Sequence, residues 1–287
     1  MMGGGNFALE VAGAGILLGV MSADSQELFE TCYRSRQGWV HHSAYMRMGK
    51  VMLALRALRR AGVGLEGKRV FDYGFGAGTF FRYCPRDAAL FGVEQDPVVV
   101  EEVAGMLRGR GYGAVDLRAI SIPEWREHPL LAERYDVFLC SHVLEHLERP
   151  VEFLEVAREC LDQRGIFLGL VPINERAANP HHLQTVDRAV VERWALEAGL
   201  RVEYYEENDP FLYWLQPLYA VDCGWRHRLG QAVSLDLGLS CKLWGERMWF
   251  GFWAGLCGLV SKPTQAVFVL RVDSGWSSAE DGGRIVD

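Results

Sequence analysis

The sequence predicts an α/β fold, a doubly wound and mainly parallel sheet with helices on both faces. Three observations carry that expectation. A short apolar run, Val70-Phe71, leads through Asp72 into three alternating glycines, Gly74, Gly76 and Gly78. Apolar runs of strand length recur at Ala88–Val93, Ala114–Ile120, Tyr135–Cys140, Ile166–Val171 and Gln265–Val272, with helical and turn patterns between them. The 287 residues, 49% of them hydrophobic, supply one sizeable core with additions.

Composition narrows the partners. Thirty Lys plus Arg against 37 Asp plus Glu give a net charge of -7 with no long basic run, which argues against nucleic acid as a partner. Seven cysteines, Cys32, Cys84, Cys140, Cys160, Cys223, Cys241 and Cys257, are scattered and form no C-x-x-C pair. That pattern suits reduced thiols in the cytoplasm better than a disulfide framework.

In chain order, residues 1–24 read as a flexible extension. Met1–Val20 carries no Lys or Arg before its apolar stretch and is too short to span a bilayer, and Met21 reads as the more natural start. Asp24 and Glu27 have capping-box spacing. Met48, Val51, Met52, Leu55 and Leu58 then recur at helical spacing, with Arg47, Lys50, Arg56 and Arg59 off that stripe and Gly62 as the stop. Thr79 opens a predicted helix that Pro85 cuts short. The second strand ends in Glu94-Gln95-Asp96-Pro97, where Asp96 before Pro97 has N-cap form. A helix through Arg108 follows, then the third strand, running into Ser121-Ile122-Pro123. The fourth strand runs into Ser141-His142-Val143-Leu144-Glu145-His146, and Arg149-Pro150 starts another helix. The last core helix is predicted over Val186–Ala198.

Alternating glycines mean that a ligand can lie against the turn with no Cβ in the way. A dinucleotide fingerprint would need glycine or alanine at position 79, where Thr79 stands. Asp-x-Gly-x-Gly-x-Gly from Asp72 instead resembles motif I of the class I S-adenosylmethionine-dependent methyltransferases, and Ser141–His146 resembles motif IV of their small-molecule branch. Asn179-Pro180-His181-His182 resembles the Pro-x-His that precedes that family's last core helix, with His182 as the family histidine. The resemblance covers Lys68 to about Tyr205. It implies a seven-stranded Rossmann-like sheet whose last strand is antiparallel.

It also implies a cofactor, S-adenosyl-L-methionine with S-adenosyl-L-homocysteine as product, and a set of cofactor-binding residues: Asp72, Gly74, Gly76, Gly78, Glu94, Gln95, Ile120, Ser121, Cys140, Ser141 and His142. Glu94, at the end of the second strand, is the acceptor for the ribose hydroxyls. No acid stands near Ser121 to meet the adenine amine, which leaves backbone around Ala119–Ser121 and the apolar Ile120 and Ile122. In such enzymes an N-terminal helical segment covers the cofactor, so residues 25–64 are read as a lid and 65–206 as the core. His41, His42 and Tyr45 in the lid either touch ligand or merely pack.

His142-x-x-Glu145-His146 on a helix is also the inverted zinc-protease signature. No downstream glutamate can be singled out as a third ligand, and the position after a buried strand is where the methyltransferases carry this wording without metal, so no metal is expected. Residues 207–262 form an aromatic insertion containing Trp214, Trp225, Trp244, Trp249 and Trp253, and residues 263–287 a last strand and polar tail. Met248–Val260 is too short to span a membrane. The insertion reads as a cap over a lipophilic substrate, a homodimer face, or a helix lying on a membrane. The expected activity is O-methylation of a lipophilic or aromatic small molecule, with His142, His182 and His41, in that order, as candidate bases. A cofactor-sensing or scaffold protein that keeps the fold without turnover is the alternative, and a zinc hydrolase a further one.

Overall fold

A computed structural model describes residues 44–120, 122–174, 182–208 and 262–275. The extension, His41, His42, Ser121, His181 and nearly all of the aromatic insertion lie outside these residues, as do the side chains of Tyr45 and Ile122.

Seven strands form one sheet: β1 Arg69–Tyr73, β2 Ala89–Glu94, β3 Val115–Ala119, β4 Tyr135–Ser141, β5 Leu161–Pro172, β6 Leu200–Asn208 and β7 Gln265–Val272. Their order is β3-β2-β1-β4-β5-β7-β6. The first five strands pair in parallel, while β7 runs antiparallel to both β5 and β6. This is the expected α/β Rossmann-like sheet. Four helices accompany it among the described residues: α1 Ala44–Arg60, α2 Pro97–Gly109, α3 Pro150–Glu159 and α4 Arg188–Glu197. None is long and apolar enough to cross a membrane.

Two apolar clusters sit on the sheet's two faces. One joins Leu53, Ala57 and Leu58 of α1 to Val70, Leu90, Val137, Leu168 and Val269. The other joins Phe71, Phe138, Phe167 and Phe268 to Phe153 of α3 and Trp194 of α4. The alternation along β1, with Val70 on one side and Phe71 on the other, is the period of two that a strand buried on both faces must have. Stacked rings of Phe138, Phe167 and Phe268 cross three adjacent strands. Gly169 makes this possible: a Cβ there would stand 2.2 Å from the Phe268 ring.

The element ends follow their residue chemistry. Asp96 caps α2 by accepting from the Val98 amide at 2.9 Å, with Pro97 in the first turn. Asp187 caps α4 through Val190, later than the predicted start at Val186. Gly62, at φ 69°, ends α1. The helix predicted from Thr79 is absent. Turns run from Gly76 to Phe80, and only a 3-10 turn, Phe81–Tyr83, forms before Pro85. Three positive-φ glycines, followed six residues after Thr79 by a proline, leave too few helical residues to offset nucleation.

β6 and β7 flank the insertion. The Thr264 amide donates to the Asn208 carbonyl at 3.1 Å, so residues 209–261 leave and re-enter the sheet at adjacent positions.

Candidate active site

The strand order reverses between β1 and β4, because β2 and β3 lie on one side of β1 and β4 and β5 on the other. In open α/β sheets ligands bind beyond the carboxyl ends of strands at such a reversal. Asp72 of β1, Glu94 of β2, Ser141 at the end of β4 and His142 just after it all stand there.

Asp72 is 3% exposed, and its Oδ1 is buried without a hydrogen-bond partner. Burial, and then the neighbouring Glu94 charge, push its carboxyl well above the usual range. A buried acid in that condition can accept a cation or donor brought by a ligand. The Glu94 carboxylate accepts from the Gly76 amide and from its neighbour Gln95, both at 2.8 Å. These bonds tie the end of β2 to the glycine turn, and each carboxylate oxygen keeps a lone pair for a hydroxyl. Burial raises the Glu94 pKa in spite of them.

The three glycines are not equivalent. A Cβ at Gly78 would meet Val103 of α2 at 2.4 Å, and one at Gly74 would meet Val143 at 3.0 Å, so these two serve packing. Gly76, at φ 50°, has nothing within 4 Å of its missing Cβ. Open space over a turn whose amide is fixed by Glu94 is the cradle, and the set fits S-adenosylmethionine: a carboxylate for its cationic groups, an acid for its ribose, and bare backbone beneath. Gly76→Ala is therefore expected to cost only about 1 kcal/mol in stability, from the left-handed backbone, while weakening cofactor binding at least tenfold. Denaturant unfolding and calorimetric titration of the same sample check both halves.

Of the remaining predicted cofactor residues, Gln95 and Ser141 are partly exposed at the strand ends. Ile120 is nearly buried in the second apolar cluster, its amide bonded to the Glu94 carbonyl at 3.0 Å. Cys140 is fully buried, and burial, with the Glu145 and Asp72 charges, drives its thiol pKa far up, so it is an inert packing residue.

His142 takes φ 58°, the left-handed region that non-glycine residues enter rarely. Its backbone amide bonds to the Leu170 carbonyl at 2.9 Å, and its Nε2 is buried with no partner. Nδ1 lies 3.2 Å from Oε1 of Glu145, an ion-pair distance without hydrogen-bond alignment. Burial, and then the positive charge of Lys50 on α1, lower its pKa, which keeps the ring neutral and able to accept a proton. The helix that the zinc-protease signature requires over His142–His146 does not form; a bend is followed by the 3-10 turn Leu144–His146. His142 and His146 are thus not stacked on one helical face, and the zinc-protease geometry does not arise.

Glu145 was singled out in the sequence only for that rejected reading. Its side chain is fully buried and neither carboxylate oxygen has a hydrogen bond. Burial opposes its ionisation, but His142 and His146 outweigh burial and hold its pKa down. Its carbonyl accepts from Leu183 and Gln184, which brings His182 against His146, ring centroids 4.8 Å apart. His182 therefore meets Glu145 and His146. Lys50 and Gln265 are neighbours of His142 that sequence spacing could not reveal, since they come from α1 and β7.

Sheet order, glycine cradle and paired acids together define a class I S-adenosylmethionine-dependent methyltransferase site. The chain belongs to the methyltransferase domain family, whose profile matches residues 45–209. It is 26% identical over 114 residues to a ubiquinone biosynthesis O-methyltransferase of Histophilus somni, which spans 39% of this chain and 48% of that protein. The chain thus spans about half the length of the curated relatives it matches. Among solved structures, one of a sarcosine dimethylglycine methyltransferase from Galdieria sulphuraria aligns with TM-score 0.54 at 17% identity, over 78% of this chain and 86% of its own. Coclaurine N-methyltransferase bound to N-methylheliamine and S-adenosylhomocysteine aligns with TM-score 0.53 at 14% identity, over 76% and 69%. These two likenesses are of fold.

Proposed function

We propose that this protein transfers a methyl group from S-adenosylmethionine to a hydroxyl of a small, lipophilic or aromatic molecule. The observation that carries the cofactor half is the buried Asp72 carboxylate, its Oδ1 unpartnered, beside a glycine turn fixed by Glu94. The cofactor supplies an electrophilic methyl on a cationic sulfur. The chain's part is to hold donor and acceptor in line and to keep water out. His142 is the base: its free Nε2 at the strand end takes the hydroxyl proton while Glu145 faces Nδ1. The matched relative, by name an O-methyltransferase of ubiquinone biosynthesis, supports oxygen as the acceptor. No disulfide joins the buried Cys84, Cys140 and Cys160 among the described residues, which suits a reducing compartment such as the cytoplasm.

The test is calorimetric titration of the purified protein with S-adenosylmethionine and its demethylated product, followed by methyl transfer to a panel of lipophilic phenols. Saturable binding with turnover on hydroxyl acceptors supports the reading. Binding without turnover on any acceptor class favours the sensing or scaffold alternative, and transfer to amines alone overturns the choice of oxygen.

A further inference from the structure

Beside the cofactor cradle the chain assembles a second group of ligating side chains. Glu145, His146 and His182 each place a donor atom within 4.8 Å of the other two. The first two come from the 3-10 turn after β4, and the third from the segment before α4. That segment is fixed on the turn by the bonds from Leu183 and Gln184 to the Glu145 carbonyl, at 2.8 and 3.1 Å.

The Glu145 carboxylate is the informative member. It is fully buried, both its oxygens lack hydrogen bonds, and the base reading of His142 accounts for contact with only one of them. A buried carboxyl group with no hydrogen bond to either oxygen is costly unless another group compensates it. Two imidazoles and one carboxylate converging on one point are the donor set of a borderline divalent metal ion.

We propose that Glu145, His146 and His182 bind a divalent transition-metal ion of the zinc type, with His142 as an outer partner that orients the carboxylate. Ligand bonds of about 2.1 Å put tetrahedral donors roughly 3.4 Å apart, so closing the set requires the imidazoles to move inward by about an ångström. Side-chain torsions of His146 and His182 supply that movement without disturbing the backbone. His142 then does what outer groups do in metal sites, holding one carboxylate oxygen in place. The ion would pin the segment before α4 to the exit of β4, next to the methyl-transfer site, leaving at least one coordination position for water or another ligand. The site differs from the protease signature in its third donor, His182, which lies 36 positions after His146 and only the fold brings near.

The experiment uses the whole chain, treated with chelator, desalted, and titrated with zinc sulfate by calorimetry and with cobalt chloride by visible absorption. The expected result is one saturable equivalent of Zn²⁺ and cobalt d–d bands that zinc abolishes. His146→Ala and His182→Ala should each weaken binding more than tenfold, and Glu145→Gln should do the same, whereas His128→Ala, outside the cluster, should not. Circular dichroism and S-adenosylmethionine titration of each variant show that it is folded, and because they read the cofactor site separately, failure here and failure of the methyltransferase reading are distinguishable. No saturable binding, or binding that survives loss of both His146 and His182, overturns the proposal.

Discussion

Asp72→Asn is expected to make the ligand-free protein more stable and to weaken its affinity for S-adenosylmethionine. The carboxyl is buried, Oδ1 has no partner, and burial followed by the Glu94 charge holds its pKa well above the usual value. An acid whose pKa is raised by folding contributes fully below the unfolded-state pKa, about 3.9, and its contribution is lost as pH rises toward the folded value. At neutral pH the wild-type protein carries that penalty and the asparagine does not. The gain should be of order 1 kcal/mol or more, since each unit by which folding raises a pKa costs about 1.4 kcal/mol once the group must ionise. Cofactor affinity should fall about 10- to 100-fold, because a charge-assisted contact to a cation is lost. Melting temperature against pH from 5 to 8, with parallel calorimetry, reads both. A variant less stable than wild type, or one that binds undiminished, would remove Asp72 from the cofactor site.

His142→Asn should lower turnover by about 10²- to 10⁴-fold, the usual contribution of a positioned base, with cofactor affinity nearly unchanged. Asparagine is the substitution of choice because it tolerates the left-handed backbone that His142 occupies, whereas alanine there would add strain to the loss of chemistry. Single-turnover rates with a saturating hydroxyl acceptor isolate the chemical step. Undiminished rates would mean that the acceptor ionises without help, as a carboxylate does, and the base assignment would fall.

Much of this was readable in the sequence because it is local. The glycine turn, the acids at the ends of β1 and β2, the Asp96 cap and the final strand Gln265–Val272 all appear where runs of a few residues place them. The helix expected after Thr79 failed for a local reason as well, three positive-φ glycines followed closely by Pro85. That a short 3-10 turn, Leu144–His146, follows β4 was not legible, because His142 enters the left-handed region, which residue type alone does not announce. What the sequence could not show is convergence. Lys50 and Gln265 reach His142 from opposite ends of the chain, and His182 reaches Glu145 only through two backbone bonds to the turn.

The placement of β7 between β5 and β6 bears on how this chain assembles. Among the described residues, β6 pairs with no strand but β7. Residues 200–208 therefore have no place in the sheet until residues 265–272 have been made and have crossed the gap left by the insertion. Lengthening such a gap costs little equilibrium stability, because closure entropy grows only with the logarithm of loop length, but it defers the pairing. During synthesis the five parallel strands can form while Val171, Phe167 and the rest of β5 still present an open edge, a nascent protein with a temporary sticky side. The C-terminal strand acts as a keystone, closing that edge and admitting β6 in one event.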